Sequence, residues 1–322
     1  MSPPSSPTFA DVQEAAARLR GRVHRTPVLR SSTFDRLCGG EFWFKCENFQ
    51  RAGAFKARGA FNAVFSLPDE AARAGIVTHS SGNHGAAVAL AARERGVRAD
   101  IVIPEGTVAI KRAAIERYGA TIHVCEPTLA AREARASALL QERGGTLVHP
   151  FDDVRVIAGQ GTAALELMEE VGRLDAVLAP VSGGGLLSGT ALAAAGMGTG
   201  IAVFGAEPAA ADDAARSFRA GHLIDQGNGF TIADGLRATL SERTFALIQR
   251  HVTGIATVSE AEIVSAMRLA WDVLKLVIEP SCAVPLAVLL SGREPRLQGR
   301  RVGIIISGGN VDLDRLSWLP AG

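Results

Sequence analysis

Two hydrophobic periods take turns along this chain. Short runs rich in Val, Ile, Phe and Ala recur at 41–45, 75–79, 99–103, 121–124, 176–180, 201–206 and 302–307. Between several of them lie Ala-, Leu- and Arg-rich stretches whose apolar positions return every three or four residues, at 85–95, 109–118, 129–143 and 157–171. A near-continuous apolar run suits a strand buried on both faces, and the helical period between runs supplies covering layers. The alternation predicts an α/β fold of parallel sheets covered by helices. The compact series of strand and helix patterns from 75 to 149 predicts a smaller lobe, with the flanking chain making a larger one.

Length agrees with that division, because 322 residues exceed what one small core needs. A hydrophobic content of 47% with a net charge of +1 gives no electrostatic reason to bind nucleic acid or an anionic membrane. Cys38, Cys46, Cys125 and Cys282 show no C-x-x-C spacing, so neither a zinc site nor a disulfide framework is implied. Reduced thiols in the cytoplasm are the simplest expectation. Residues 1–7 carry no basic stretch followed by an apolar one, which excludes a signal peptide and predicts a short unstructured lead. Residues 176–206 hold no charge, yet Pro180 and the scattered glycines fit strand, loop, helix and strand better than a membrane span.

Several segments carry candidate chemistry. Lys56 follows Gly53 and Phe55 at a loop-to-helix junction. Desolvation there would lower its pKa until the neutral amine attacks an aldehyde; a solvated lysine at a helix start is the plainer alternative. Ser182-Gly183-Gly184-Gly185-Leu186 lies between an apolar strand and an Ala-rich helix, where backbone N–H groups and the helix dipole suit an anion. A tight turn or a dinucleotide site would use similar residues, but Ser188 occupies the last glycine position of the G-x-G-x-x-G template. Ser80-Ser81-Gly82-Asn83-His84-Gly85 suits a carboxylate at a helix start, or simple capping by Ser81 or Asn83. Ser307-Gly308-Gly309-Asn310 reads as a turn after a strand. Glu207 and Asp213, six apart, offer a hard cation their oxygens with a backbone carbonyl between, or are solvated acids. Arg132 reads as a charge on a helix surface.

Together the segment around Lys56 and the three serine- and glycine-bearing loops resemble the fold type II pyridoxal-phosphate enzymes, specifically the serine/threonine dehydratase and serine racemase family. The resemblance runs from about residue 25 to about residue 313. It implies a two-lobed, parallel-sheet fold of the tryptophan synthase β-like type. A small domain (75–149) would be inserted in a large one (1–74 and 150–322), with pyridoxal 5'-phosphate in the cleft. By this resemblance Lys56 carries the cofactor, Phe55 packs against its ring, and Ser182, Gly183, Gly184, Gly185 and Leu186 hold its phosphate. Asn83 would bond its phenolic oxygen, and the Ser307 hydroxyl its pyridine nitrogen. Ser80, Ser81, Gly82 and His84 would bind substrate, with Ser81 facing Cα opposite the lysine as the second acid/base of racemases. Arg132 would lie near the cleft, able to favour a second substrate carboxylate. Glu207, the Ala211 carbonyl and Asp213 would hold Mg²⁺ or another divalent cation. Ser182, Ala54 and Cys282 depart from the family's usual residues.

The implied activity is an ammonia-lyase that eliminates water from a β-hydroxy amino acid such as L-threonine or L-serine, giving a 2-oxo acid and ammonia. A hydroxyl rather than a carboxylate at the pyridine nitrogen makes a weaker electron sink, which favours elimination or reprotonation over transamination. An amino-acid (serine) racemase shares every motif, and a dehydratase specialised for 3-hydroxyaspartate or phenylserine is a further alternative. A nicotinamide-binding or non-enzymatic α/β protein stands furthest. The resemblance also implies a homodimer in the cytoplasm and, from the chain's length, no isoleucine feedback.

Overall fold

The computed structural model describes residues 6–316 apart from 199, 226 and 228, so most of the lead expected at 1–7 lies outside the described residues. Ten strands follow in order: β1 (Val28–Arg30), β2 (Glu41–Cys46), β3 (Ile76–His79), β4 (Ala99–Pro104), β5 (Thr121–Cys125), β6 (Thr146–Leu147), β7 (Ala176–Pro180), β8 (Ala202–Pro208), β9 (Gly254–Val258) and β10 (Arg301–Ile306). The helices are α1 (Phe9–Leu19), α2 (Ser32–Cys38), α3 (Lys56–Phe65), α4 (Asp69–Arg73), α5 (Asn83–Arg95), α6 (Ala109–Glu116), α7 (Leu129–Arg143), α8 (Val154–Val171), α9 (Gly185–Gly196), α10 (Asp213–Ala220), α11 (Glu242–His251), α12 (Glu260–Leu269) and α13 (Pro280–Leu290).

The strands form two sheets. One has six strands in the order β1-β2-β10-β7-β8-β9, and the other four in the order β5-β4-β3-β6. All neighbouring pairs are parallel except β1 with β2, which the expectation of parallel sheets did not include. β1, β6 and β9 fall outside the apolar runs, and each is a sheet edge. An edge strand buries less surface and needs less apolar sequence; β9 alternates buried and half-buried positions instead.

Alternation along each strand splits the core between layers. In β10, Val302, Ile304 and Ile306 pack with α12 and α13, whereas Ile305 packs with α8 and α9 on the other face. In β3, Ile76 joins the cluster under α3 and α5, and Val77 faces α7. That cluster also takes in Leu19 of α1 and Val156 of α8, so α3 is held between the two sheets' helical layers. Helices α3 and α8 meet backbone to backbone. A Cβ on Gly159 would sit 2.7 Å from the Arg58 carbonyl oxygen, so only glycine fits. Among the described residues no helix is long and apolar enough to cross a membrane.

Candidate active site

Lys56 is the first residue of α3, and the chain before it is stitched to the end of β10. Phe55 N donates to the Ser307 carbonyl at 2.9 Å, Gly309 N donates to the Gly53 carbonyl at 2.9 Å, and Ala54 bridges Gly308. Two left-handed residues, Ala52 and Gly53, make the turn. The Lys56 Nζ donates to the Pro150 carbonyl oxygen at 2.8 Å and lies 5.1 Å from the centre of the Phe55 ring. Burial lowers its pKa to about 8, against the opposing pull of Glu279.

Two more helices open towards this point without a side-chain cap, unlike α1, α2, α7, α8, α11 and α12. At α5 the cap residue is Gly82, so Ser81 and Asn83 do not cap, and the simple capping alternative fails. The Asn83 amide instead donates to Glu279 at 2.9 and 3.1 Å and accepts from Asn310 Nδ2 at 2.9 Å. At α9 the cap residue is Gly184, in the left-handed region, and the first N–H groups of the helix lack intrahelical partners. A Cβ on Gly183 would meet the Phe151 ring at 2.4 Å, so the loop is packed from behind. Ser182 holds φ +56, a conformation that favours glycine, and its Oγ accepts from Ala238 N at 3.4 Å. Ser307 is buried at the end of β10. The Cys282 thiol is fully buried, and burial pushes its pKa up, so it is a packing group and not a nucleophile.

Three neutral imidazoles line the adjoining wall. His84 bonds the Val148 carbonyl through Nε2 at 3.1 Å; burial, then Lys56, holds its pKa well below the usual value. His149 Nδ1 accepts from the backbone N–H of Phe151 and Asp152 at 3.3 and 2.9 Å, so its neutral ring carries the proton on Nε2. Burial, then His79, lowers its pKa to about 4. His79 packs edge-on to His149 at 5.0 Å and is depressed by burial and by Arg132. Donor atoms of His79, Glu133 and His149 come within 4.8 Å of one another. The Arg132 charge and the Glu133 carboxylate both act on His79 at this point of the wall. Arg132 is half-buried and makes no ion pair among the described residues; its Nε reaches the Thr128 carbonyl at 3.4 Å.

A family model described as "Pyridoxal-phosphate dependent enzyme" matches residues 19–308. The chain belongs to that family. Among relatives of this pyridoxal-phosphate dependent enzyme, the β-hydroxyaspartate dehydratase of Paracoccus denitrificans (strain Pd 1222) is 48% identical, covering 97% of this chain and 99% of its own. The serine racemase of Dictyostelium discoideum is also 48% identical, covering 98% and 99%. The structure of maize serine racemase superposes with a TM-score of 0.94 at 44% identity, covering 96% of this chain and 95% of its own.

The residues present fit the family's cofactor. An amine of lowered pKa and the free N–H groups at the start of α9 match an aldehyde and a phosphate. A second site lies apart. Glu207, on β8, is buried, and its Oε2 accepts from Ala215 N at 2.8 Å while Oε1 has no partner. Asp213, opening α10, leaves Oδ2 unpartnered. Burial, then Asp213, raises the pKa of Glu207 well above the carboxylate range; burial raises that of Asp213 to about 6. Two buried carboxylates, each with an unpaired oxygen, could be satisfied by a hard cation. The motifs did not single out Pro150, Phe151, Glu279 or Asn310 as site residues. Each takes its place through contacts distant in sequence, although Asn310 closes the Ser307–Asn310 segment noted above.

Proposed function

We propose that this enzyme is an ammonia-lyase that removes water from a β-hydroxy amino acid, with 3-hydroxyaspartate preferred over serine and threonine. The half-buried Arg132, without an acidic partner and beside neutral His79, carries the substrate preference. It offers a bidentate fork to a second carboxylate. Similarity to a β-hydroxyaspartate dehydratase supports the same choice.

The cofactor would be held by Lys56, by the N–H groups of residues 182–186, by Asn83 and by Ser307, with Phe55 against its ring. When bound it stabilises the negative charge left at the substrate Cα after proton removal. The protein does the rest. The uncapped start of α5, with the Ser80 and Ser81 hydroxyls and the Gly82 and His84 backbone, would bind the α-carboxylate. The Lys56 Nζ, whose lowered pKa keeps much of it neutral near pH 8, takes the Cα proton. The β-hydroxyl leaves as water with a proton, the count being closed by the one Lys56 removed from Cα, and the released enamine tautomerises and takes up one water to give a 2-oxo acid and ammonia. Racemisation is the second activity proposed, with Ser81 as proton donor on the opposite face; similarity to a serine racemase favours it.

Around this site we place a large domain (1–74 and 150–322), a small domain (75–149), and a divalent cation held by Glu207, the Ala211 carbonyl and Asp213. We further assign a cytoplasmic homodimer. The deciding experiment assays ammonia and 2-oxo acid release from 3-hydroxyaspartate, serine, threonine and phenylserine, with chiral analysis of recovered substrate. Arg132→Gln should lower kcat/KM for 3-hydroxyaspartate about a hundredfold, as expected for a lost charge-assisted bond. Serine turnover should change by only a few-fold. Equal losses on both substrates would remove the second-carboxylate assignment.

A further inference from the structure

Glu279 is a buried carboxylate to which the chemistry above gives no task. It stands just before α13 at 6% exposure without capping it, and its two oxygens accept only from Asn83 Nδ2 among the described residues. The groups facing it come from every side. They are Lys56 from α3, Asn83 from α5, Lys111 from α6, Asp234 from the segment before α11, and the neutral Cys282 thiol in its own helix. Lys111 and Asp234 pair with each other. Burial raises the pKa of Glu279 to about 7. The Asn83 bond opposes this, Asp234 adds to it, and Lys111 and Lys56 pull it down.

We propose that Glu279 is a positioning residue for the reaction at Lys56: its ionised carboxylate fixes the Asn83 amide and holds a positive charge at the Lys56 nitrogen. The inference rests on Lys56 being the cofactor-bearing amine. Protonation would turn one acceptor oxygen into a donor facing an amide that is already donating. The nearby acceptor, Asn83 Oδ1, is occupied by Asn310 Nδ2, which also reaches the Ala52 carbonyl at 2.7 Å. A proton on Glu279 therefore costs one of the two Asn83 contacts and loosens the Glu279–Asn83–Asn310 chain, beside the turn that presents Lys56.

The test uses holoenzyme. The visible absorbance of the bound cofactor and kcat/KM are followed against pH in the wild type, Glu279→Gln, Glu279→Asp and Asp234→Asn. The wild type should lose activity as pH falls through about 7. In Glu279→Gln that acid limb disappears, and the absorbance midpoint moves down by about one pH unit, a tenfold weaker hold on the proton. Glu279→Asp should restore a limb. Asp234→Asn, away from the lysine, should move the limb to lower pH, because Asp234 raises the Glu279 pKa. Superimposable wild-type and Glu279→Gln profiles overturn the proposal. Should Glu279→Gln not retain cofactor, an unmoved limb in Asp234→Asn overturns it alone. A wild type with no visible band overturns the role of Lys56 itself; a band that no variant shifts removes only the role of Glu279.

Discussion

The amine of Lys56 donates to the carbonyl oxygen of Pro150 at 2.8 Å, joining the first turn of α3 to the loop that leaves the four-stranded sheet. The same loop places Phe151 against Gly183 and lets Asp152 pair with Arg243 beside α9. One short connection thus spaces the lysine from the glycine turn, which an amine and a phosphate of one cofactor require.

Lys56 carries a pH signature. Its pKa falls from 10.5 to about 8, so the folded chain binds fewer protons than the unfolded one between those values. Stability of the cofactor-free protein should therefore rise as pH climbs from about 8 to about 10.5. Lys56→Met removes the penalty, and should stabilise the cofactor-free protein at pH 7 by up to ~3 kcal/mol, with no gain left at pH 10.5. Urea unfolding at the two pH values checks this. The same variant should be colourless and inactive with cofactor present.

The paired carboxylates Glu207 and Asp213 titrate in the opposite sense. Both pKa values are raised, so each favours folding while protonated and loses that contribution as pH rises through its folded value. Chelator-treated protein should lose Tm as pH rises from about 4 through about 6, where Asp213 titrates, and beyond it as Glu207 follows, and Mg²⁺ should restore it. Glu207→Gln should abolish the Mg²⁺ response. A Tm equally responsive to Mg²⁺ in that variant would show that the cation binds elsewhere.

Arg58, two residues beyond Lys56, is fully buried between Glu47 and Glu166, with bonds of 2.7 and 2.8 Å. Lys45 reaches the same Glu166 at 2.7 Å. Arg58→Met strands negative charge on Glu47, in the turn after β2, and on Glu166 of α8, and should cost about 3–5 kcal/mol. Denaturant melts should show the loss directly. Because the cluster anchors α3 from behind, cofactor absorbance should survive until the protein begins to unfold.

Sequence by itself determined the class of fold and the identity of the chemical groups. Apolar runs such as 302–307 could only be strands buried on both faces, and β10 is such a strand at the centre of its sheet. Edge strands β1 and β6 escaped notice because they are only three and two residues long, and β9 because it alternates buried and half-buried positions rather than running apolar. Lys56 and the glycine turn could be picked out through the family resemblance of their segments, since each taken alone has a plainer reading as a solvated lysine or a tight turn. Tertiary structure decided what surrounds them. Glu279 stands 223 positions from Lys56 (279 − 56), and Pro150 touches it across 94. Desolvation and Coulomb fields depend on distance in space, so the lowered pKa of the lysine and the raised one of the glutamate arise only once the chain has folded.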